Sequence, residues 1–135
     1  MIFYVDEKCK MIVNFCAISI SETKIEIYDY NQKTIPDPNA IYAHLCYYGY
    51  VVETYDERFH YKKSVFKKTD DFLYYIIDAI SFVVALDYAK NTHDESKEYR
   101  EILFEKELEI FSRFDKPIFE RKQAEIKKCL ENVGD

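Results

Sequence analysis

Glycine is scarce in this 135-residue chain, where only Gly49 and Gly134 occur, and tryptophan is absent. Two isolated glycines exclude the glycine-rich loops that let a backbone wrap around phosphate groups. No serine stands in the context of a nucleophile elbow, and no recognisable motif pairs a cysteine with a histidine. We therefore predict no catalytic residues and no cofactor.

Cysteine is also sparse, and its spacing is uninformative for metal or disulfide chemistry. The four cysteines are Cys9, Cys16, Cys46 and Cys129. They show neither the paired spacing of zinc knuckles nor the density of a secreted disulfide scaffold, which favours a reducing compartment. His44 and Cys46 stand two apart on a predicted strand, so a shared metal is the alternative to a histidine beside a core cysteine. We predict no metal site.

The net charge of −6 and the pI near 5.1 argue against nucleic acid and anionic membranes as partners and favour a basic partner. The basic cluster of Lys62, Lys63, Lys67 and Lys68 is interpreted as a solvated strand edge. Residues 1–10 show no export signal, so we expect a cytoplasmic protein. The apolar stretch 72–89 contains Asp78 and Asp87, which favours a buried soluble helix over a membrane span.

The chain length and composition predict a single α+β domain over residues 1–135. Asp6 is placed to cap a helix whose apolar residues, from Cys9 to Ile20, recur at steps of three and four. A short strand over 23–27 is expected to follow. The alternative for 11–20 is a strand, because that stretch is rich in β-branched residues.

Three tyrosine- and valine-rich runs, 41–47, 50–55 and 59–66, predict an antiparallel β-meander. Three helices are then predicted: 69–91 with Thr69 as its N-cap, about 95–114, and about 117–132. The first of these is apolar nearly all round, with a narrow polar strip, and is expected to be covered on several sides. The predicted fold is therefore a small meander packed against a bundle of about three C-terminal helices, with an N-terminal helix.

One carboxylate in the predicted central helix, Asp78, is expected to be partly buried. Buried carboxylates occur as catalytic acids or bases, but no second carboxylate at a defined separation is identifiable. We predict a structural role, in which Asp78 accepts a hydrogen bond from a tyrosine or a basic side chain.

The most informative surface pattern is a row of carboxylates in the predicted second helix. These are Asp94, Glu98, Glu101, Glu105 and Glu109. At about 100° per residue they fall within an arc of about 80°, opposite a core stripe of Tyr99, Leu103, Ile110 and Phe114. One interpretation is a solvated face compensated by Lys97, Lys106 and Arg113; the other is a ridge for a basic partner. Phe104 and Leu108 flank the row as interface anchors or helix contacts.

Thirteen tyrosines form the second surface pattern, and several crowd the predicted meander. Tyrosine is enriched at binding hot spots because it offers a large contact area and a polar handle at little entropic cost. Strand propensity explains their presence equally well. Tyr47, Tyr48, Tyr50 and Tyr55 are the candidate partner-binding tyrosines.

The second half of the chain resembles a family of bacterial polymorphic-toxin immunity proteins, immunity protein 63. The resemblance rests on the segments 71–76 and 99–109, on Phe82 and Tyr88, and on Arg121, Glu125 and Ile126. The family has a strand that leads into its central helix. The run 50–53 is similar to that strand, and it is followed here by polar residues and then by Thr69-Asp70-Asp71. The resemblance covers roughly 42–130. Tyr75 stands where the family usually has a tryptophan.

The resemblance implies an α+β fold and a non-catalytic protein that neutralises a cognate toxin. It agrees with the acidic charge, since toxins that attack nucleic acid would carry a basic cleft. The competing interpretation is another intracellular interaction module, such as an adaptor or a regulatory subunit, and behind it an enzyme of unrecognised type that uses Asp78 and the histidines.

Overall fold

A computed structural model of the chain describes residues 1–33, 36–92 and 96–133. The elements are β1 Ile2–Val5, α1 Glu7–Ser19, β2 Glu26–Asp29, β3 Ala40–Cys46, β4 Gly49–Tyr55, β5 Tyr61–Phe66, α2 Thr69–Asn91, α3 Tyr99–Phe111 and α4 Lys116–Val133. The α+β class, the N-terminal helix, the meander and the three C-terminal helices are confirmed. The chain divides into two compact units, Met1–Ile76 and Ile77–Asp135, and the boundary falls within α2.

The five strands form one mixed sheet in the order β2-β1-β3-β4-β5. β3, β4 and β5 are the predicted antiparallel meander, and β5, which carries Lys62 and Lys63, lies at the edge as expected. β1 pairs in parallel with both β2 and β3. β1 was not predicted from the sequence, because four residues have too little pattern of their own and the strand depends on partners far along the chain.

The turns explain where the meander strands begin. Gly49 has a φ of +141°, and a Cβ at this position would lie 2.7 Å from the carbonyl oxygen of Phe66, so only glycine fits. The last strand begins at Tyr61 rather than at the predicted residue 59. Phe59 has a φ of +63° and belongs to a turn whose Asp56 Oδ1 accepts hydrogen bonds from the amides of Arg58 and His60.

Asp6 begins α1, as the sequence predicts, and also fastens it to the sheet. Its Oδ1 accepts a hydrogen bond of 2.9 Å from the amide of Cys9, which caps the helix. Its Oδ2 accepts one of 2.7 Å from the amide of Leu45 in β3. The helix then buries Cys9, Val13 and Cys16.

The core of the first unit lies on one face of the sheet. Phe3 and Val5 of β1 are fully buried there, and α1 packs on β1 and β3. The start of α2 covers the same face of the meander: the rings of Phe72 and Tyr50 stack at 4.6 Å, and Tyr75 contacts Phe66. The four cysteines of the chain are free, and burial raises the pKa of Cys16 to about 12.

α2 has the predicted length but differs in two details. The amide of Phe72 bonds to the carbonyl of Lys68, so Lys68 occupies the cap position and Thr69 is already helical. The exposed side of the helix also differs from the expected polar strip, because Phe82 and Val83 are 48% and 37% exposed while Ser81, which belongs to that strip, is buried. By length and hydropathy α2 could cross a membrane, yet half of its most apolar 18-residue stretch is buried within the protein.

The second unit contains the rest of α2 together with α3 and α4. Its core includes Ile80, Ile102, Ile110, Phe111 and Ile126, all buried. α3 begins at Tyr99, four residues later than the predicted start, which lies outside the described residues. Asp115 caps α4 through a 3.0 Å hydrogen bond from the amide of Ile118, and Pro117 lies in the first turn as expected.

Ile80 and Ile18 allow a matched test of the core. Ile80 is fully buried and Ile18, on α1, is 81% exposed. Ile80→Ala should lower the free energy of unfolding by about 2 to 5 kcal/mol, because it removes buried methyl groups and leaves a cavity. Ile18→Ala should change it by less than about 0.5 kcal/mol. Urea unfolding of the two variants measures both values, and equal effects would show that the core is misplaced.

Candidate functional site

The outer side of α3 carries the predicted carboxylates. Glu98, Glu101, Glu105 and Glu109 are all exposed, and we call these four residues the acidic face. The fifth member of the predicted row, Asp94, lies outside the described residues. Glu98 occupies the N-cap position without a capping hydrogen bond from its side chain, so its carboxylate stays in solvent.

The expected lysine and arginine neighbours compensate half of the acidic face. Lys97 Nζ lies 2.9 Å from Glu105 Oε2, and Arg113 Nη2 lies 2.9 Å from Glu109 Oε2. Lys106 also approaches Glu109, at 3.4 Å. Within the part of the chain that the structure describes, Glu98 and Glu101 have no ion pair. The first turn of α3 is therefore the less compensated end of the acidic face.

The opposite side of α3 is buried, but not along the predicted stripe. Leu103 and Ile110 are buried as expected, whereas Tyr99 is 47% exposed and Phe114 is half-buried. Their places in the core are taken by three neighbouring residues, Ile102, Glu107 and Phe111. The buried side is therefore wider than the predicted stripe but shorter along the chain, because Tyr99 is the first residue of α3 and Phe114 lies beyond its end.

The two apolar residues beside the acidic face are half-buried. Phe104 packs against the buried cluster of Ala85, Ala89, Ile102 and Leu103, and the Arg100 guanidinium lies 5.4 Å from its ring centroid. Phe104 is thus a contact between helices. Leu108 is also half-buried, so neither side chain is a fully exposed anchor.

A lysine with three carboxylates is the main polar feature that the sequence analysis missed. Lys122 of α4 is 7% exposed, and its Nζ lies 2.7 Å from Asp78 Oδ1 of α2 and 2.9 Å from Glu107 Oε2 of α3. Glu125 approaches at 3.5 Å. The hydrogen bond from a basic side chain that was predicted for Asp78 is confirmed by this contact. The most buried carboxylate of the group is however Glu107, since the Asp78 side chain is 43% exposed.

The electrostatics of this group follow from its burial. Burial opposes the charge of Lys122, but hydrogen bonds to Asp78 and Glu107 outweigh it and raise the pKa of the ammonium group. Burial raises the pKa of the Glu107 carboxyl, and Lys122 offsets this only in part. One cation thus joins three helices, and its loss would leave Glu107 as an unpaired charge in the core.

Lys122→Met tests this arrangement. The free energy of unfolding should fall by about 3 to 5 kcal/mol, because Glu107 loses its partner while it stays buried. Lys128→Met, at an exposed lysine of the same helix, should cost less than about 0.5 kcal/mol. Denaturant unfolding at pH 7 measures both changes.

The pH dependence of Lys122→Met provides a second check. The folded-state pKa of Glu107 is raised above the ordinary 4.5, so the folded state binds the proton more tightly than the unfolded state. As the pH falls toward 4.5, Glu107 takes up a proton and loses its charge. Part of the stability that Lys122→Met removes should therefore return. A variant as stable as the parent at pH 7 would contradict the role assigned to Lys122.

The candidate tyrosines divide into two exposed and two half-buried residues. Tyr47 and Tyr48 form the β3–β4 turn, are 99% and 42% exposed, and contact each other edge to face at 5.0 Å. Tyr50 is held by Phe72 and by a hydrogen bond to Thr69, so it is a packing residue. Tyr55 lies between two other tyrosine rings.

An open depression lies beside Tyr47. It has a volume of about 560 Å³ and is lined by Asp6, Glu7, Lys8, Leu45, Cys46 and Tyr47. Asp6 already uses its two oxygens on the amides of Cys9 and Leu45. The depression is therefore a feature of surface shape beside the exposed turn, and the Asp6 carboxylate within it is committed to the fold.

His44 and Cys46 lie on the same face of β3, as expected for residues two apart. The ring of His44 packs against that of Tyr30 at 4.8 Å, and its Nδ1 is buried without a hydrogen-bond partner among the described residues. Across 1–33, 36–92 and 96–133, no group of three or more histidine, cysteine or acidic residues is placed to hold a metal ion.

Comparison with known families gives one match. The family model described as immunity protein 63 matches residues 50–128, which is more than half of the chain. The matched range begins in β4, includes α2 and α3, and ends within α4. No curated protein and no solved structure matches the chain.

Proposed function

The chain belongs to the immunity protein 63 family, and on this premise we propose that it binds and neutralises a cognate polymorphic toxin in the cytoplasm. Neutralisation needs binding alone, so the protein acts without a reaction of its own. Family membership is the observation that carries the proposal. The protein's acidity supports it, because a net charge of −6 favours a basic partner.

We further propose that the acidic face contacts a basic surface of the toxin. The four carboxylates are exposed, and two of them have no ion pair within the described part of the chain. Charges at the rim of an interface act mainly by steering the encounter, which raises the association rate. In this proposal the acidic face controls how fast the complex forms.

Tyr47 and Tyr48 are the proposed anchors of the complex. Both are exposed at a tight turn, and their rings already pack against each other, so little freedom would be lost on binding. Aromatic anchors are buried in the complex and control dissociation more than association. Tyr47, the most exposed large hydrophobic side chain of the described residues, is the first candidate.

The direct test is co-expression with the product of the neighbouring gene, which is the candidate toxin. Cells that express the toxin domain alone should stop growing, and cells that express both proteins should survive. The two proteins should then copurify. Growth arrest in the presence of this chain, at matched expression, would refute the proposed function.

Charge reversal tests the acidic face. Glu98→Lys/Glu101→Lys/Glu105→Lys should fold normally, because exposed ion pairs contribute about 0 to 1 kcal/mol. Its association with the toxin should slow at least tenfold at low salt and become nearly independent of salt. Stopped-flow or surface kinetics at two salt concentrations measure both effects.

A second triple variant controls for net charge. Glu57→Lys/Glu120→Lys/Glu131→Lys changes three exposed glutamates outside the acidic face and alters the net charge equally. It should bind substantially faster at low salt than the acidic-face variant. Equal rates for the two triple variants would show that overall charge, and not the acidic face, governs the encounter.

A further inference from the structure

One tyrosine from every strand lies on the sheet face opposite α1. In sheet order these are Tyr28 of β2, Tyr4 of β1, Tyr42 of β3, Tyr55 of β4 and Tyr61 of β5, and we call them the tyrosine row. The distances between successive ring centroids are 5.4, 5.1, 5.9 and 5.5 Å. The rings therefore form one continuous chain of aromatic contacts across all five strands.

Strand register explains why the rings share a face. Tyr4 is paired with Tyr28 on one side and with Tyr42 on the other, and paired residues project from the same side of a sheet. Tyr42 faces Glu53, and Tyr55, two residues further along β4, is paired with Tyr61. Side chains two apart on a strand also point to the same side.

This face is more open to solvent than the one that α1 and the start of α2 cover. Tyr28 and Tyr61, at the two ends of the tyrosine row, are 41% and 51% exposed, whereas Tyr42 at the centre is 3% exposed. A surface with a rigid aromatic centre and accessible ends resembles the anchor region of a protein interface.

Glu53 keeps a negative charge within the tyrosine row. It accepts hydrogen bonds of 2.7 Å from the Tyr61 hydroxyl and 2.9 Å from the Tyr30 hydroxyl. Burial opposes its ionisation, but these bonds and the charge of Lys33 prevail and lower its pKa. The carboxylate also fixes Tyr61, so that this exposed ring is already ordered before a partner arrives.

The chain's own lysines place their ammonium groups over the faces of tyrosine rings on this side of the protein. Lys33 Nζ lies 3.9 Å from the ring centroid of Tyr30 and 5.9 Å from that of Tyr42. Lys63 Nζ lies 5.6 Å from the centroid of Tyr48 on the neighbouring turn. The face of a tyrosine ring attracts cations through its quadrupole, and arginine is the most frequent partner. Phosphate groups would instead meet Glu53 and an overall negative charge.

We propose that the tyrosine row is a docking surface for arginine and lysine side chains of the cognate toxin. The inference rests on the proposed function and extends it to a surface separate from the acidic face. Tyr28, Tyr4 and Tyr42 precede the range that the family model matches, so the family match does not account for the tyrosine row. Toxin cations stack on the exposed rings of Tyr28 and Tyr61, and Glu53 adds charge attraction between them.

Paired substitutions separate the aromatic contribution from the apolar one. Tyr28→Leu/Tyr61→Leu keeps apolar area but removes the ring faces, so the dissociation constant for the toxin should rise roughly tenfold to a hundredfold. Tyr28→Phe keeps the ring and should bind like the parent. Phe82→Leu, at a 48% exposed aromatic residue of α2, is the control and should also bind like the parent. Calorimetry with the toxin domain measures each constant.

A measurement on the unchanged protein covers the case in which the double variant fails to fold. Tyrosine nitration followed by mass spectrometry should modify Tyr28 in the free protein and spare it in the toxin complex. Equal nitration in both states would overturn the inference, and so would parent-like binding by the folded leucine variant. In either case, copurification with the toxin would leave the proposed function standing. Failure of the parent to bind the toxin overturns both.

A single-stranded RNA oligonucleotide serves as the competing probe, because bases also stack on tyrosine. The parent should show no binding to it at physiological salt. Binding that disappears in Tyr28→Leu/Tyr61→Leu would assign the tyrosine row to nucleic acid and refute the assignment to toxin cations.

Discussion

The first unit depends on the pairing of four residues, Ile2–Val5, between β2 and β3. This strand turns a three-stranded meander into a five-stranded sheet, and a larger sheet with a helix on one face is stable where a short meander is marginal. It buries Phe3 and Val5 under α1. On the other face it places Tyr4 between Tyr28 and Tyr42, so the same backbone pairing builds the core and completes the tyrosine row.

The second unit has its own central interaction, at Lys122. Asp78, Glu107 and Lys122 come from three different helices, and a single ammonium group satisfies both carboxylates. Buried ion pairs contribute little net stability compared with apolar side chains of similar size, but an unmatched partner is costly. The arrangement therefore disfavours any packing of α2, α3 and α4 in which these groups do not meet.

The two proposed surfaces use different physics. The carboxylates of the acidic face act over several ångströms through solvent and weaken with salt, which suits the steering of a basic partner. The exposed tyrosines act on contact, where ring faces meet desolvated cations or apolar groups. In the two proposals, the acidic face serves fast capture of the toxin and the exposed tyrosines serve slow release.

The sequence by itself determined the elements whose signals are local. Asp6 and Asp115 mark the starts of α1 and α4, the turn at Gly49 separates β3 from β4, and helical spacing predicts the exposure of the acidic face. A cap, a tight turn and a helical period each depend on residues within a few positions of one another, so they can be recognised without the fold. The family resemblance rests on the same helical half.

Only the tertiary structure decided which residues meet across long distances in the chain. β1 has no pattern of its own and exists because β2 and β3 supply its hydrogen bonds, so neither the strand nor the tyrosine row was predicted. The buried side of α3 includes Glu107, because Lys122 approaches it from α4, and it excludes Tyr99 at the start of the helix. Spacing along a helix defines its possible faces, but the partner elements determine which one is buried, and that choice is not a local property of the sequence.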